Sequence, residues 1–250
     1  MSGFGEILGS SSEFASVIES VKAGKCPVHV TGMTGSQKSH FIYSLCVTLG
    51  KKCIVVTYDE AEAGRISSDL SFLFCRDTFV FKNKDYVFYN IDASSHTAEI
   101  SRLRTLAAFD SGAPIVTTIE AVSKFTISPT ELKRCTITIN SDSVVDSAAL
   151  ANRLVAMGYQ RTSAVEGEGT FSIRGSIIDV FSPCMSSPVR IDLFDDEVDS
   201  IRAFDPATQV SVENISSCTI IPVREIVYDY SKAQEVAATI RRLNKFMSRI

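Results

Sequence analysis

The stretch from Gly169 to Asp205 constrains the fold more than any other part of the chain. In Val189-Arg190-Ile191-Asp192-Leu193 apolar and charged residues alternate, so Val189, Ile191 and Leu193 share one face of a strand and Arg190 and Asp192 the other. Thr170-Phe171-Ser172-Ile173-Arg174 repeats the pattern: Phe171 and Ile173 are expected inward, Ser172 and Arg174 outward, and Gly175 turns the chain. Consecutive strands of this kind, joined by tight turns, describe an antiparallel meander with one dry and one wet face. Incidental charge is the default on a wet face. The set Arg174, Arg190 and Asp192 also suits docking of a protein, because guanidinium forks match carboxylates on a partner.

The amino-terminal half reads differently. Phe14, Val17, Ile18 and Val21 recur at helical spacing, and an apolar strand is expected at Pro27 to Val30. A helix follows from His40 to Leu49, then a strand at Cys53 to Thr57 and a helix from Glu60 to Phe74. Asp59 and Glu60 suit the start of that helix, where negative charge complements the macrodipole. Thr78–Phe81 and Tyr86–Tyr89 are aromatic-rich strands, and Pro114–Thr118 is a strand of the buried parallel type. A helix between them, Thr97 to Phe109, should point Ile100, Leu103 and Leu106 inward and Arg102 and Arg104 outward. Alternation of strand and helix argues for a parallel α/β sheet. The style changes at Ser128-Pro129. Strand at Thr136–Ile139, helix at Ser147–Met157 stopped by Gly158, and the meander follow, with Ile220-Ile221-Pro222 closing it. The last segment, Ser231 to Ile250, reads as a helix with a basic outer face.

Between the first expected strand and helix lies Thr31-Gly32-Met33-Thr34-Gly35-Ser36-Gln37-Lys38-Ser39, nearly a phosphate-binding loop. Gly32 matches the first glycine of that motif and Lys38-Ser39 its closing pair, with Gly35 between them. Gln37 stands where a glycine would let backbone amides wrap the phosphates, so a bulky side chain enters the cradle. The loop therefore reads as a relic kept for packing. Neither ATP nor another cofactor is expected, and no later acid is placed to complete a hydrolytic site.

Composition narrows the function further. A net charge of −4 argues against a chain built to coat nucleic acid, leaving Arg102, Arg104 and the terminal basic helix as local candidates for DNA contact. Seven scattered cysteines without a C-x-x-C pair fit free thiols in a reducing compartment rather than disulfides or a metal site. No apolar run is long enough to span a membrane, and the first residues do not form a secretory signal, so a cytoplasmic location is expected.

TGMTGSQKS, FSIRGSIIDVFSP, VRIDLFDDEVDSIRAFDP and IIPVREI together resemble the amino-terminal module of bacterial transcription-repair coupling factors (Mfd), itself similar to the first part of the excision-repair protein UvrB. The resemblance runs along the whole chain and is densest from Tyr159 to Pro222. It implies a P-loop helicase-like parallel α/β domain with a degenerate nucleotide site (1–127 and, after the chain returns, 223–250), interrupted by an inserted α+β antiparallel-sheet domain (128–222). It implies a non-catalytic module that recruits UvrA to stalled RNA polymerase, while other domains of a full-length factor engage polymerase and double-stranded DNA. Residue by residue, the family's UvrA-binding positions fall on Arg161, Arg174, Arg190 and Asp192, and a further basic position of UvrB falls on Ser172. The alternatives are half of a P-loop ATPase or helicase acting through Lys38 and Ser39, and a UvrB-like damage-binding protein. For the latter, Asp85 to Ser95 is too short to form the DNA-clamping hairpin.

Overall fold

Several helices begin where the sequence supplies side-chain caps. Ser11 accepts a hydrogen bond from the Phe14 amide to open α1 (Ser12–Lys22), and Asp59 accepts from the Glu62 amide at 2.7 Å to open α3 (Glu60–Phe74). Between them lies α2 (Ser36–Leu49), ended by Gly50 in the left-handed region. The structure is a computed structural model and describes residues 11–84 and 92–227, with positions 8, 237–239 and 241 besides. The chain divides into two units, Met1–Phe125 and Thr126–Ile250.

The first unit contains a three-stranded parallel sheet, β1 (Ile54–Thr57), β3 (Ile115–Thr118) and β2 (Phe79–Phe81), in that spatial order. The central strand β3 is buried along its whole length. Val116 packs with Tyr43, Ala63, Ile66 and Leu70 from α2 and α3, whereas Ile115 packs with Phe81, Ala121 and Leu106. Leu106 belongs to α4 (Asp92–Ala108) and Ala121 to the short α5 (Ile119–Val122). Successive residues of β3 thus serve opposite layers, as a strand covered on both faces requires.

Pro27–Val30 forms no strand: Pro27 lacks an amide to donate, and Pro27, His29 and Val30 stay exposed. Arg102, expected outward, has no exposed surface. Its stem carries the guanidinium to 3.9 Å above the Phe81 ring, and Nη1 donates to the Lys82 carbonyl at 2.7 Å. The strand expected at Tyr86–Tyr89 lies outside the described residues, as does most of Asp85–Ser95.

The second unit opens with a helix that periodicity missed, α6 (Pro129–Cys135), although its start is written in Ser128, Pro129 and Glu131. β4 (Ile137–Asn140) and α7 (Ser147–Ala156) follow. A six-stranded sheet is then built from β5 (Gln160–Arg161), β6 (Thr170–Arg174), β7 (Ile177–Val180), β8 (Val189–Phe194), β9 (Glu197–Phe204) and β10 (Ser211–Asn214), each beside the next. All neighbours are antiparallel except β5 and β6, so the meander read from alternation is present. β11 (Ser217–Ile220) does not close this sheet as expected; it pairs with β4 in a separate two-stranded one. Past it, Val223 donates its amide to the Met157 carbonyl, so the chain still packs within this unit there. The terminal helix expected at 231–250 falls almost wholly outside the described residues.

Candidate protein interface

Register assembles the candidate site. Phe171, Val180, Val189 and Ala203 lie in one cross-strand row, with Ile178, Ile191 and Ile201 in the next row on the same face. All of these are buried, which defines the dry face. Ser172, Asp179, Arg190, Arg202 and Asn214 form one row of the opposite face, and Arg174, Ile177, Asp192 and Ser200 form another. Arg174, Arg190 and Asp192 are therefore brought together, on the face that alternation assigned them. Arg161 is not in these rows: it sits on the edge strand β5 in register with Phe171. Exposed there, it makes no hydrogen bond or ion pair among the described residues.

The centre of the polar face is Asp179, which has no exposed surface. Arg190 grips it with two hydrogen bonds, Nε to Oδ1 at 2.7 Å and Nη2 to Oδ2 at 3.0 Å, and Arg174 Nη2 reaches Oδ2 at 2.6 Å. The carboxylate raises the Arg190 pKa further above its ordinary value. Breaking such a buried pair by removing one partner costs on the order of 3 kcal/mol, because a charge is left without compensation. The Arg190 guanidinium also lies 4.8 Å from the ring of buried Phe204, and Nη1 donates to the Gln209 carbonyl at 3.4 Å. Beside this group, Arg202 pairs with Asp192, which also accepts from the Ser200 hydroxyl at 2.9 Å. Within this cluster three guanidinium groups meet two carboxylates.

Expectations that this face is wet are half right. Ser172, expected outward, is buried and donates to the Ser163 carbonyl at 3.3 Å. Val165 is fully buried, and its carbonyl accepts from Gln209 Nε2 at 3.1 Å. The segment 162–168 and the turn 205–209 thus lie over one end of the face. That turn is held by Asp205, whose Oδ1 accepts the Ala207 and Thr208 amides; the Thr208 amide in particular keeps its pKa below the ordinary carboxylate value. Side-chain exposure separates the two arginines on Asp179: 17% for Arg190 against 52% for Arg174. Asp179, Arg202 and Gln209 escaped the sequence reading. A signal for Asp179 existed, since it stands at an outward position of Ile177-Ile178-Asp179-Val180, where the turn at Gly175 sets it opposite Ser172.

In the first unit the loop 31–39 engages its own side chains. Gln37 Oε1 accepts from the Thr34 amide at 3.0 Å, removing one loop amide from use by an anion. Lys38 Nζ lies 3.5 Å from Glu62, whose carboxyl is held below its ordinary pKa chiefly by the hydrogen-bonding Arg65 guanidinium. Ser39, fully buried, donates to Asp69 at 2.8 Å. A cleft of about 260 Å³ opens beside Lys38, lined by Met33, Phe41, Ile42, Tyr58 and Glu62 among others. Among the described residues no cluster of three or more His, Cys, Asp or Glu could hold a metal, and no helix is long and apolar enough to cross a membrane. All seven cysteines are free thiols, with Cys46, Cys135 and Cys218 buried.

Comparison with known proteins points to the same unit. A family model for the UvrB interaction domain matches residues 137–226, which run from β4 past β11. Curated relatives described as transcription-repair-coupling factors align along most of the chain. That of Bacillus subtilis (strain 168) is 32% identical over 244 residues, 93% of this chain and 21% of its own length. That of Myxococcus xanthus is 30% identical over 224 residues, 86% of this chain and 19% of its own. The chain spans about a fifth of the length of the curated relatives it matches.

Proposed function

We propose that this chain, similar over most of its length to transcription-repair-coupling factors and matched at residues 137–226 by the UvrB interaction domain, is the module through which such a factor recruits UvrA to RNA polymerase stalled at DNA damage. The carrying observation is the cluster of Arg174, Arg190, Arg202 and Asp192 around buried Asp179, within the matched domain. A mixed-charge surface with exposed guanidinium groups suits a transient complex with an acidic partner. Arg161, on the neighbouring edge strand, extends the contact. The module has no catalysis of its own. Gln37, Lys38 and Ser39, with Gly32 and Gly35, form a degenerate nucleotide loop whose functional groups are held by Thr34, Glu62 and Asp69. In a full-length cytoplasmic factor, polymerase and double-stranded DNA are engaged by domains beyond this chain.

Retention of the chain on immobilised UvrA tests this reading. Unaltered protein should be retained, and Arg174→Ala combined with Arg190→Ala should abolish retention. Equal retention of the double variant would place the interface elsewhere; no retention of either would remove UvrA as the partner.

A further inference from the structure

The two arginines that share Asp179 do not have equal work to do. Arg190 is occupied: two hydrogen bonds go to Asp179, a third to the Gln209 carbonyl, and its plane lies near Phe204. Arg174 makes one hydrogen bond among the described residues, from Nη2, and more than half of its side chain remains exposed. An isolated surface arginine samples many rotamers and loses that freedom on binding. Held at one amino group by a buried carboxylate, Arg174 has already given up most of it, and its remaining N–H groups stay available.

We infer that Asp179 is the positioning residue of this surface: it holds Arg174 as a bridging fork, one amino group on Asp179 and the others toward a carboxylate of the partner, while Arg190 braces Asp179 from within the sheet. The inference rests on the reading that this face binds UvrA. Asp179 itself touches no partner, since it has no exposed surface. Arg190 supports affinity only by keeping the carboxylate in place, whereas Arg174 makes the contact. A lysine cannot replace Arg174, because one ammonium group cannot reach Asp179 and the partner with fixed geometry.

The test measures UvrA affinity of the 250-residue chain by biolayer interferometry, with melting temperature recorded for each variant. Arg174→Ala should weaken binding about tenfold or more, with only a small fall in melting temperature because Arg190 still pairs Asp179. Arg174→Lys should weaken it nearly as much. Asp179→Asn, which keeps the volume and removes the charge, should weaken binding about tenfold alone and no further when Arg174 is already alanine. A merely structural Asp179 would weaken binding by the same factor in both backgrounds, and that result overturns the inference. So does wild-type affinity in Arg174→Lys, a variant at an exposed position that carries the test if Asp179→Asn fails to fold. Failure of the unaltered chain to bind UvrA overturns the functional reading and this inference with it. An Arg174→Ala variant that binds normally overturns the inference and leaves UvrA recruitment standing.

Discussion

The Tyr159 hydroxyl donates to the Ile221 carbonyl at 2.7 Å, joining two residues 62 positions apart in a buried contact. Ser182 completes the clasp by accepting the Ile221 amide at 3.1 Å. The residue that precedes β5 is thereby tied to the residue that follows β11, across the sheet that carries the arginines.

Loss of this clasp should be measurable. Tyr159→Phe leaves a buried carbonyl without its donor and should cost about 1–3 kcal/mol. A urea titration followed by circular dichroism reads it as a lower midpoint at unchanged slope. An unshifted midpoint would mean that another group satisfies Ile221.

Gly158 lies next to the clasp at φ +94, and a Cβ placed there would come within 2.6 Å of Arg224 Cγ and 3.2 Å of Val223 Cγ2. Gly158→Ala should therefore destabilise the second unit by roughly 1–2 kcal/mol from the backbone alone, with the crowding at Val223 adding to it. Differential scanning calorimetry checks this. A variant as stable as the parent would show that the end of α7 relaxes freely.

Alkaline pH should loosen the same unit. Burial pushes the Cys218 thiol up to about 11 from 9.0 and moves the Tyr159 hydroxyl upward from 10.0. Both groups are acids kept neutral in the fold, so the unfolded chain loses its protons first. The Cys218 contribution is complete below pH 9.0 and is lost as pH rises from there through about 11, whereas that of Tyr159 begins to be lost only above pH 10.0. Unfolding free energies from urea titrations should fall between about pH 9 and about pH 11, by up to about 1.4 kcal/mol per pH unit per group, and less steeply in Cys218→Ala. A flat profile would contradict burial as the cause.

Nucleotide should find no purchase on Lys38 and Ser39, which already have partners in Glu62 and Asp69. Isothermal titration with Mg-ATP should give no binding tighter than about 1 mM. A low-micromolar constant that disappears in Lys38→Ala would restore the enzymatic alternative.

Much of this was legible along the chain. Alternation located β6 and β8 and the faces of Phe171, Arg174, Arg190 and Asp192. Apolar residues at helical spacing located α1, with Phe14 and Ile18 buried, and α3 ran over the residues expected of it. Arg102 was misread because a long side chain at a helix edge can turn its charge inward onto an aromatic ring. Pro27–Val30 forms no strand because a short apolar run by itself specifies neither burial nor a pairing partner.

What the sequence by itself determined is local: strand periods, caps, and the face each side chain leaves from, all set by backbone geometry over a few residues. Only the tertiary structure decided that Ser172 and Asp179 are dry, that Arg190 faces inward to Asp179, and that Arg174 keeps free N–H groups. The cause is the cover supplied by 162–168 and 205–209, whose irregular chain has no period to read and is placed by Gln209 and Ser172. A charge's surroundings depend on such distant segments, and its surroundings decide whether it binds a partner or braces the fold.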